Sequence, residues 1–188
     1  NLDTPGKAND VVVAGSFAYV ADGPAGMRVI NVSNPASPTE IASYALGSVS
    51  TGAVAVAIFE NRIYLVDTNS GLHVIDVSNP ASPVRLGLYD RKYANDVAVI
   101  RSGTTIHAYL AGSDLQVIDV TNPAQPVKLH GVYPPGYAAG VDAAGDLVYV
   151  ACSDGGFAIY RFQAGPPATP TPTATPKPVK LWTPLILR

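Results

Sequence analysis

Residues 71–84 read GLHVIDVSNPASPV, and near-copies stand on either side: MRVINVSNPASPT at 27–39 and LQVIDVTNPAQPV at 115–127. Pro35, Pro80 and Pro123 mark equivalent points 45 and 43 residues apart. Tyr19, Tyr64, Tyr109 and Tyr149 mark a second equivalent point, and a fourth copy keeps VYVACSDGGFAIYRF at 148–162 but ends before any Ser-Asn-Pro. Self-similarity at a fixed period of about 40 residues is the signature of a repeat architecture.

Each copy is a string of short apolar runs broken by Gly, Asn, Asp and Pro. In the first copy these are VVVA (11–14), FAYVAD (17–22), MRVINV (27–32) and TEIASYAL (39–46). Runs of this length, β-branched and bounded by turn residues, read as strands. Helical periodicity is absent, and the connections are mostly too short for crossover helices. Four antiparallel strands in 40-odd residues make one blade of an all-β propeller. The recurring phrase then has a structural job. Proline has no amide N–H to give to a ladder and holds the preceding residue extended, so Asn34-Pro35 ends the third strand. Ser33 and Asn34 bond nearby backbone, and Pro38 stiffens the entry to the fourth strand.

These features resemble the LVIVD repeat family, whose units carry a strand like Val74-Ile75-Asp76-Val77 followed by Ser-Asn-Pro. The resemblance covers about residues 4–163. It implies a β-propeller module of bacterial or archaeal cell-surface proteins. Two copies depart from the pattern, with Asn31 and Arg161 in place of the aspartate. A chemistry shared through that aspartate is therefore not expected.

The expected layout is propeller repeats over 1–163, with units at about 5–47, 48–91, 92–135 and 136–163. NLDTPGKAND at the start resembles GLYDRKYAND at 87–96, so Leu2–Thr4 reads as the last strand of a preceding blade. The fourth copy lacks a fourth strand, which suggests either a ring closed by Leu2–Thr4 or the C-terminal part of a larger propeller, and the second is favoured. Residues 164–178 form a Pro/Thr-rich linker of polyproline character, a composition common in glycosylated stalks of secreted proteins. Residues 179–188, within KLWTPLILR, turn apolar again. The stalk and this ending resemble the C-termini of secreted proteins of filamentous Chloroflexi-type bacteria, which implies a sorting or attachment signal. A strand docking back on the propeller is the alternative. An extracellular or cell-surface location follows from the same resemblances.

Composition bounds the function. The charged fraction is 14%, the hydrophobic fraction 47% and the net charge −2 across 188 residues. No basic face for nucleic acid is present, and no run approaches the roughly 18 apolar residues of a membrane-spanning helix. The lone Cys152 has no internal disulfide partner and reads as a small buried hydrophobe. His73, His107 and His130 occupy different repeat positions without ligand spacing, so no metal or other cofactor is expected. Asp22, Asp67 and Asp154 read as hairpin-turn residues. Asp142 stands where Val12, Ala57 and Ala98 stand in other copies and points to the central channel, where Asp10 and Asp96 would join it in an acidic mouth. No nucleophile elbow or phosphate loop is visible, and no His sits beside a Ser or Cys in a suggestive pattern.

The corner phrase is nearly the same in every copy, whereas the links between blades and the second-to-third-strand turns vary. Both emerge on one edge of a meander blade, so a binding surface belongs there. Its candidate residues are Lys7, Arg91, Lys92, Tyr93, Asn95, Asp96 and Tyr137, with the aromatics suited to stacking on sugars or anchoring a protein. The repeated tyrosines, including Tyr44, Tyr89 and Tyr133, read as packing. The expected function is non-enzymatic: a scaffold for an unidentified protein or glycan partner. The alternatives are a spacer or adhesin segment without a specific ligand, and a hydrolase whose catalytic groups lie in further blades.

Overall fold

The structure, a computed structural model, describes residues 1–47, 52–162 and the backbone of 182–184. It contains four antiparallel sheets of four strands, each in simple meander order. Sheet 1 comprises β1 (Asp10–Ala14), β2 (Phe17–Ala21), β3 (Met27–Asn31) and β4 (Thr39–Tyr44). Sheet 2 comprises β5 (Ala53–Phe59), β6 (Arg62–Asp67), β7 (Gly71–Asp76) and β8 (Val84–Tyr89). Sheet 3 comprises β9 (Ala94–Ser102), β10 (Thr105–Gly112), β11 (Leu115–Asp119) and β12 (Val127–Val132). Sheet 4 comprises β13 (Gly140–Ala144), β14 (Leu147–Ala151), β15 (Phe157–Phe162) and β16 (Trp182–Pro184).

The corner is built the same way three times. Asn34, Asn79 and Asn122 each accept the amide two residues on through Oδ1, at 3.2 Å in every copy. Asp76 Oδ1 accepts the Ser78 amide at 2.8 Å, and Asn31 Oδ1 accepts that of Ser33 at 2.9 Å. An amide oxygen serves as well as a carboxylate here, which is why the first copy tolerates asparagine. A bulge follows at one place in each of these sheets, opposite Val29/Ile30, Val74/Ile75 and Val117/Ile118.

Sheets stack face to face in chain order, and three apolar joints hold them. Tyr19, Met27 and Val29 of sheet 1 meet Ile63, Leu65 and Ile75 of sheet 2. Tyr64, Leu72 and Val74 then meet Ala108, Leu110 and Ile118. Tyr109, Leu115 and Val117 meet Val148, Val150 and Tyr160. Desolvation pushes the Tyr109 hydroxyl up to about 12. Cys152 is buried in the last joint. Among the described residues, no apolar cluster joins sheet 4 back to sheet 1.

Three expectations need correction. Leu2–Thr4 forms no strand; the Thr4 hydroxyl and the Gly6 amide are instead drawn to the Asp22 carboxylate, at 2.7 and 2.9 Å. The fourth strand of sheet 4 comes from the C-terminal segment, with Trp182 opposite Phe162 and Pro184 opposite Tyr160. Pro184 is tolerated because β16 is an edge strand. Residues 163–181 and 185–188, with the expected linker and the rest of the apolar ending, lie outside the described residues. Tyr133, expected in the core, is 83% exposed. Val132 faces Leu115 where Tyr44 faces Met27 and Tyr89 faces Leu72, so Tyr133 falls one residue beyond the packing position.

Candidate functional site

The variable links and turns do share one edge, because backbone bonds sew each link to the turn of the sheet before it. The Ala53 amide donates to the Gly23 carbonyl at 2.9 Å, that of Tyr93 to Thr68 at 2.7 Å, and that of Ala138 to Gly112 at 3.0 Å. Close approach requires glycine at Gly112, where a Cβ would stand 2.3 Å from the Tyr93 carbonyl oxygen.

Most of the candidate side chains on this edge are engaged in holding sheets together. Ala8-Asn9-Asp10 and Ala94-Asn95-Asp96 form the same clasp twice. Asp10 accepts the Val11 amide and, from the next sheet, the Val56 amide, both at 2.8 Å. Asp96 does the same with Val97 and Val141, again at 2.8 Å. Asn9 Nδ2 donates to the Ala53 carbonyl at 2.8 Å, and Asn95 Nδ2 donates to the Tyr137 hydroxyl. Burial, with smaller effects from Asp10 and Asp142, holds the Asp96 carboxyl above its ordinary range. Asp142 is exposed on the outward face of sheet 4 and caps the Ala143 amide at 2.8 Å. Asp10 and Asp96 are thus clasp groups rather than free channel carboxylates. Among the described residues, no cluster of three or more His, Cys, Asp or Glu side chains could hold a metal ion.

Arg91 is buried and ion-paired with Asp114, whose Oδ2 also accepts from Gln116 at 3.0 Å. Tyr89 closes this network by donating to Gln116 at 3.0 Å. Arg91 is therefore a cross-sheet tie between sheets 2 and 3. Asp22 and Asp67, read as turn residues, are fully buried and also receive links: Gly6 donates to Asp22 and Gly52 to Asp67, both at 2.9 Å.

Ser70 and His73 do meet, contrary to the sequence reading, with Oγ and Nε2 2.8 Å apart. The Ser70 hydroxyl proton goes to Asp67 at 2.7 Å, so Nε2 is the donor to Ser70 and Nδ1 accepts from Tyr44 at 3.0 Å. A nucleophilic serine needs the opposite arrangement, with histidine taking its proton. Desolvation, partly offset by Asp67 and reinforced by Arg85, pushes His73 down to about 4. With His73 uncharged, the chain Tyr44–His73–Ser70–Asp67 is a satisfied strut across the first joint.

What remains open on this edge is Lys7, Lys92, Tyr93 and Tyr137. Tyr93 is 62% exposed at a left-handed φ of 64°, and Tyr137 is 43% exposed. Lys92 borders an open hollow with Asn69, Ser70, Leu88 and Asp90. Sequence reasoning missed Tyr133, which stands fully outward at the start of the link that carries Tyr137. The extra residue between Val127 and Tyr133, compared with Val84 to Tyr89, was the available signal.

The repeat geometry is matched by sequence comparison over 5–45, 52–91, 92–133 and 135–160, each fitting the LVIVD repeat. The chain belongs to the LVIVD repeat family. Solved structures similar to this LVIVD-repeat chain share its fold at low identity. A protein from Lactobacillus plantarum aligns with a TM-score of 0.67 and 16% identity, over 84% of this chain and 54% of its own. The Cps50 (Swd1) β-propeller domain of Myceliophteria thermophila aligns at 0.65 and 10%, over 83% of this chain and 51% of that domain. The computationally designed protein Ika4 aligns at 0.62 and 10%, over 85% of this chain and 93% of its own. The four LVIVD repeats thus span about half the length of the first two and nearly all of the third. No curated protein matches the LVIVD-repeat chain in sequence.

Proposed function

We propose that the chain is a non-enzymatic, secreted or cell-surface propeller scaffold that presents its link-and-turn edge to a protein or glycan partner. One observation carries the reading. Tyr93, Tyr133 and Tyr137 are the exposed tyrosines among the described residues, and all three stand in the links on that edge. Rings held outward on a stitched backbone lose little entropy on binding and offer broad apolar area. The extracellular assignment is supported by the Thr/Pro tract at 166–178 and by the surface modules that the family resemblance implies. Among the described residues no helix is long and apolar enough to cross a membrane.

The test is a glycan array and an envelope-polysaccharide pull-down with the full chain, run beside a Tyr93→Ala/Tyr133→Ala variant. Saturable binding that weakens by about tenfold or more in the variant, at unchanged Tm, is the expected outcome. Absence of saturable binding, or binding indifferent to the variant, overturns the reading. That result would favour a second one, a structural spacer without a ligand. Its supporting observation is that Arg91, Asn95 and Asp96 are committed to sheet-to-sheet contacts.

A further inference from the structure

The hollow on the link-and-turn edge of sheet 2 brings an apolar wall and several hydrogen-bonding groups to one place. Asn69 and Ser70 of the β6–β7 turn line it, with Leu88 at the end of β8 and Asp90 and Lys92 of the link beyond. Its volume of about 320 Å³ lies at the small end of ligand cavities, about 300–1,000 Å³. That size suits one ring rather than a folded partner.

Leu88 supplies the apolar wall. It stands opposite His73 in the ladder, so its side chain shares a sheet face with the strut, and it remains exposed. Ser70 supplies a fixed hydroxyl. Its proton goes to Asp67 at 2.7 Å, and its oxygen accepts from His73 Nε2 at 2.8 Å. A hydroxyl oxygen has two acceptor lone pairs, so one is left for a donor in the hollow. Asp90 and Lys92 are both exposed, and among the described residues neither takes part in an ion pair. Together they offer an acceptor and a donor with no net charge.

Tyr93 marks the rim. A residue other than glycine at a φ of 64° is costly, and such a conformation persists where the surroundings over-determine it. Two neighbouring turns do so here. The Tyr93 amide donates to the Thr68 carbonyl at 2.7 Å, and Gly112 approaches the Tyr93 carbonyl so closely that a Cβ there would stand 2.3 Å from its oxygen. The first bond ties Tyr93 to the residue before Asn69, which anchors an exposed ring beside the hollow.

We propose that this hollow is a subsite for one neutral pyranose unit of a glycan; the proposal rests on the scaffold reading and narrows its partner class. A pyranose has apolar C–H faces and a rim of hydroxyls. Leu88 and the Tyr93 ring take the faces, Asp90 and Ser70 accept from hydroxyls, and Lys92 donates to one. An acidic sugar gains at Lys92 and loses at Asp90, so the balanced pair favours an uncharged ring.

The experiment is a titration of the isotope-labelled full chain with the methyl glycosides of glucose, galactose and mannose, and with methyl glucuronide as the acidic comparison, read by amide shifts. At least one neutral glycoside is expected to give saturable shifts centred on residues 68–71 and 88–93, little changed by added salt. Asp90→Ala and Lys92→Ala, both at exposed positions, should each weaken binding by about tenfold at unchanged Tm. Shifts that never saturate, shifts centred elsewhere, tighter binding of the glucuronide, or variants that bind like the parent overturn the proposal. The scaffold reading is separable. A glycan or protein captured through Tyr93 and Tyr133, while every glycoside leaves the hollow unmoved, removes the subsite alone; the lack of any saturable partner removes both.

Discussion

The Asp96 carboxylate reaches across to the Val141 amide of the next sheet while holding the Val97 amide of its own, and Asp10 repeats the geometry on Val56 and Val11. Sheet 2 has Ala55 at this position and forms its joint without a clasp. A charge-assisted bond of this kind contributes roughly 1.5–3 kcal/mol, so Asp96→Ala is expected to lower unfolding stability by that order in urea titrations. Its loss should appear in the midpoint rather than in the slope. His73 gives a pH-dependent counterpart. Its folded pKa of about 4 lies below the ordinary imidazole value of 6.5, so the unfolded chain binds the extra proton between those values. Uncharged His73 in its strut therefore stabilises the fold above about pH 6.5, and that contribution is lost progressively as the pH falls towards 4. His73→Gln is expected to flatten the stability profile in this window, measured by thermal melts at stepped pH. Equal slopes would show that the ring titrates alike in both states. His107, also lowered by burial, acts in the same direction and belongs in a double variant. These residue roles were only partly legible in the sequence. The paired Ala-Asn-Asp was visible as a repeat, but it reads as loop polarity until the partner amides, 45 and 46 residues away, are placed beside it.

Strands and corners were far more legible than contacts, because they rest on local rules. Proline ends the third strand, Asx side chains hold the corner, and apolar alternation marks the ladders; each acts within a few residues and recurs in register. Reading failed where pairing is decided at a distance. Sheet 3 has the same bulge and register as sheets 1 and 2, so Val132 takes the place opposite Leu115, and Tyr133, one residue later in the sequence than Tyr44 and Tyr89, falls beyond the pairing and turns outward. Tyr133→Ala should accordingly change stability by no more than about 0.5 kcal/mol, while Val132→Ala costs measurably more; the reverse order in denaturant melts would restore Tyr133 to the core. The C-terminal strand was equally hidden, since an apolar segment after a Pro/Thr tract fits attachment and docking alike. Element packing makes a third local demand. A Cβ on Gly87 of β8 would lie 2.1 Å from the Pro123 carbonyl oxygen, so the corner of sheet 3 sits on the outer strand of sheet 2. Gly87→Ala is expected to cost about 1–3 kcal/mol, the range of overpacking, although the residue is in an ordinary strand and alanine has the better propensity.

At the scale of the whole molecule, an open stack has different mechanics from a closed ring. Sheets 1 and 2, 2 and 3, and 3 and 4 share joints, while the described clusters include none between 4 and 1. Stability is then close to a sum of sheet terms and nearest-neighbour joints, so damage need not spread. Leu65 is fully buried in the joint between sheets 1 and 2. Leu65→Ala should cost about 2–5 kcal/mol, and hydrogen exchange is expected to accelerate in sheets 1 and 2 while sheets 3 and 4 keep their protection. A uniform acceleration through all four sheets would show that the clasps at Asp10 and Asp96 couple the stack into one cooperative unit.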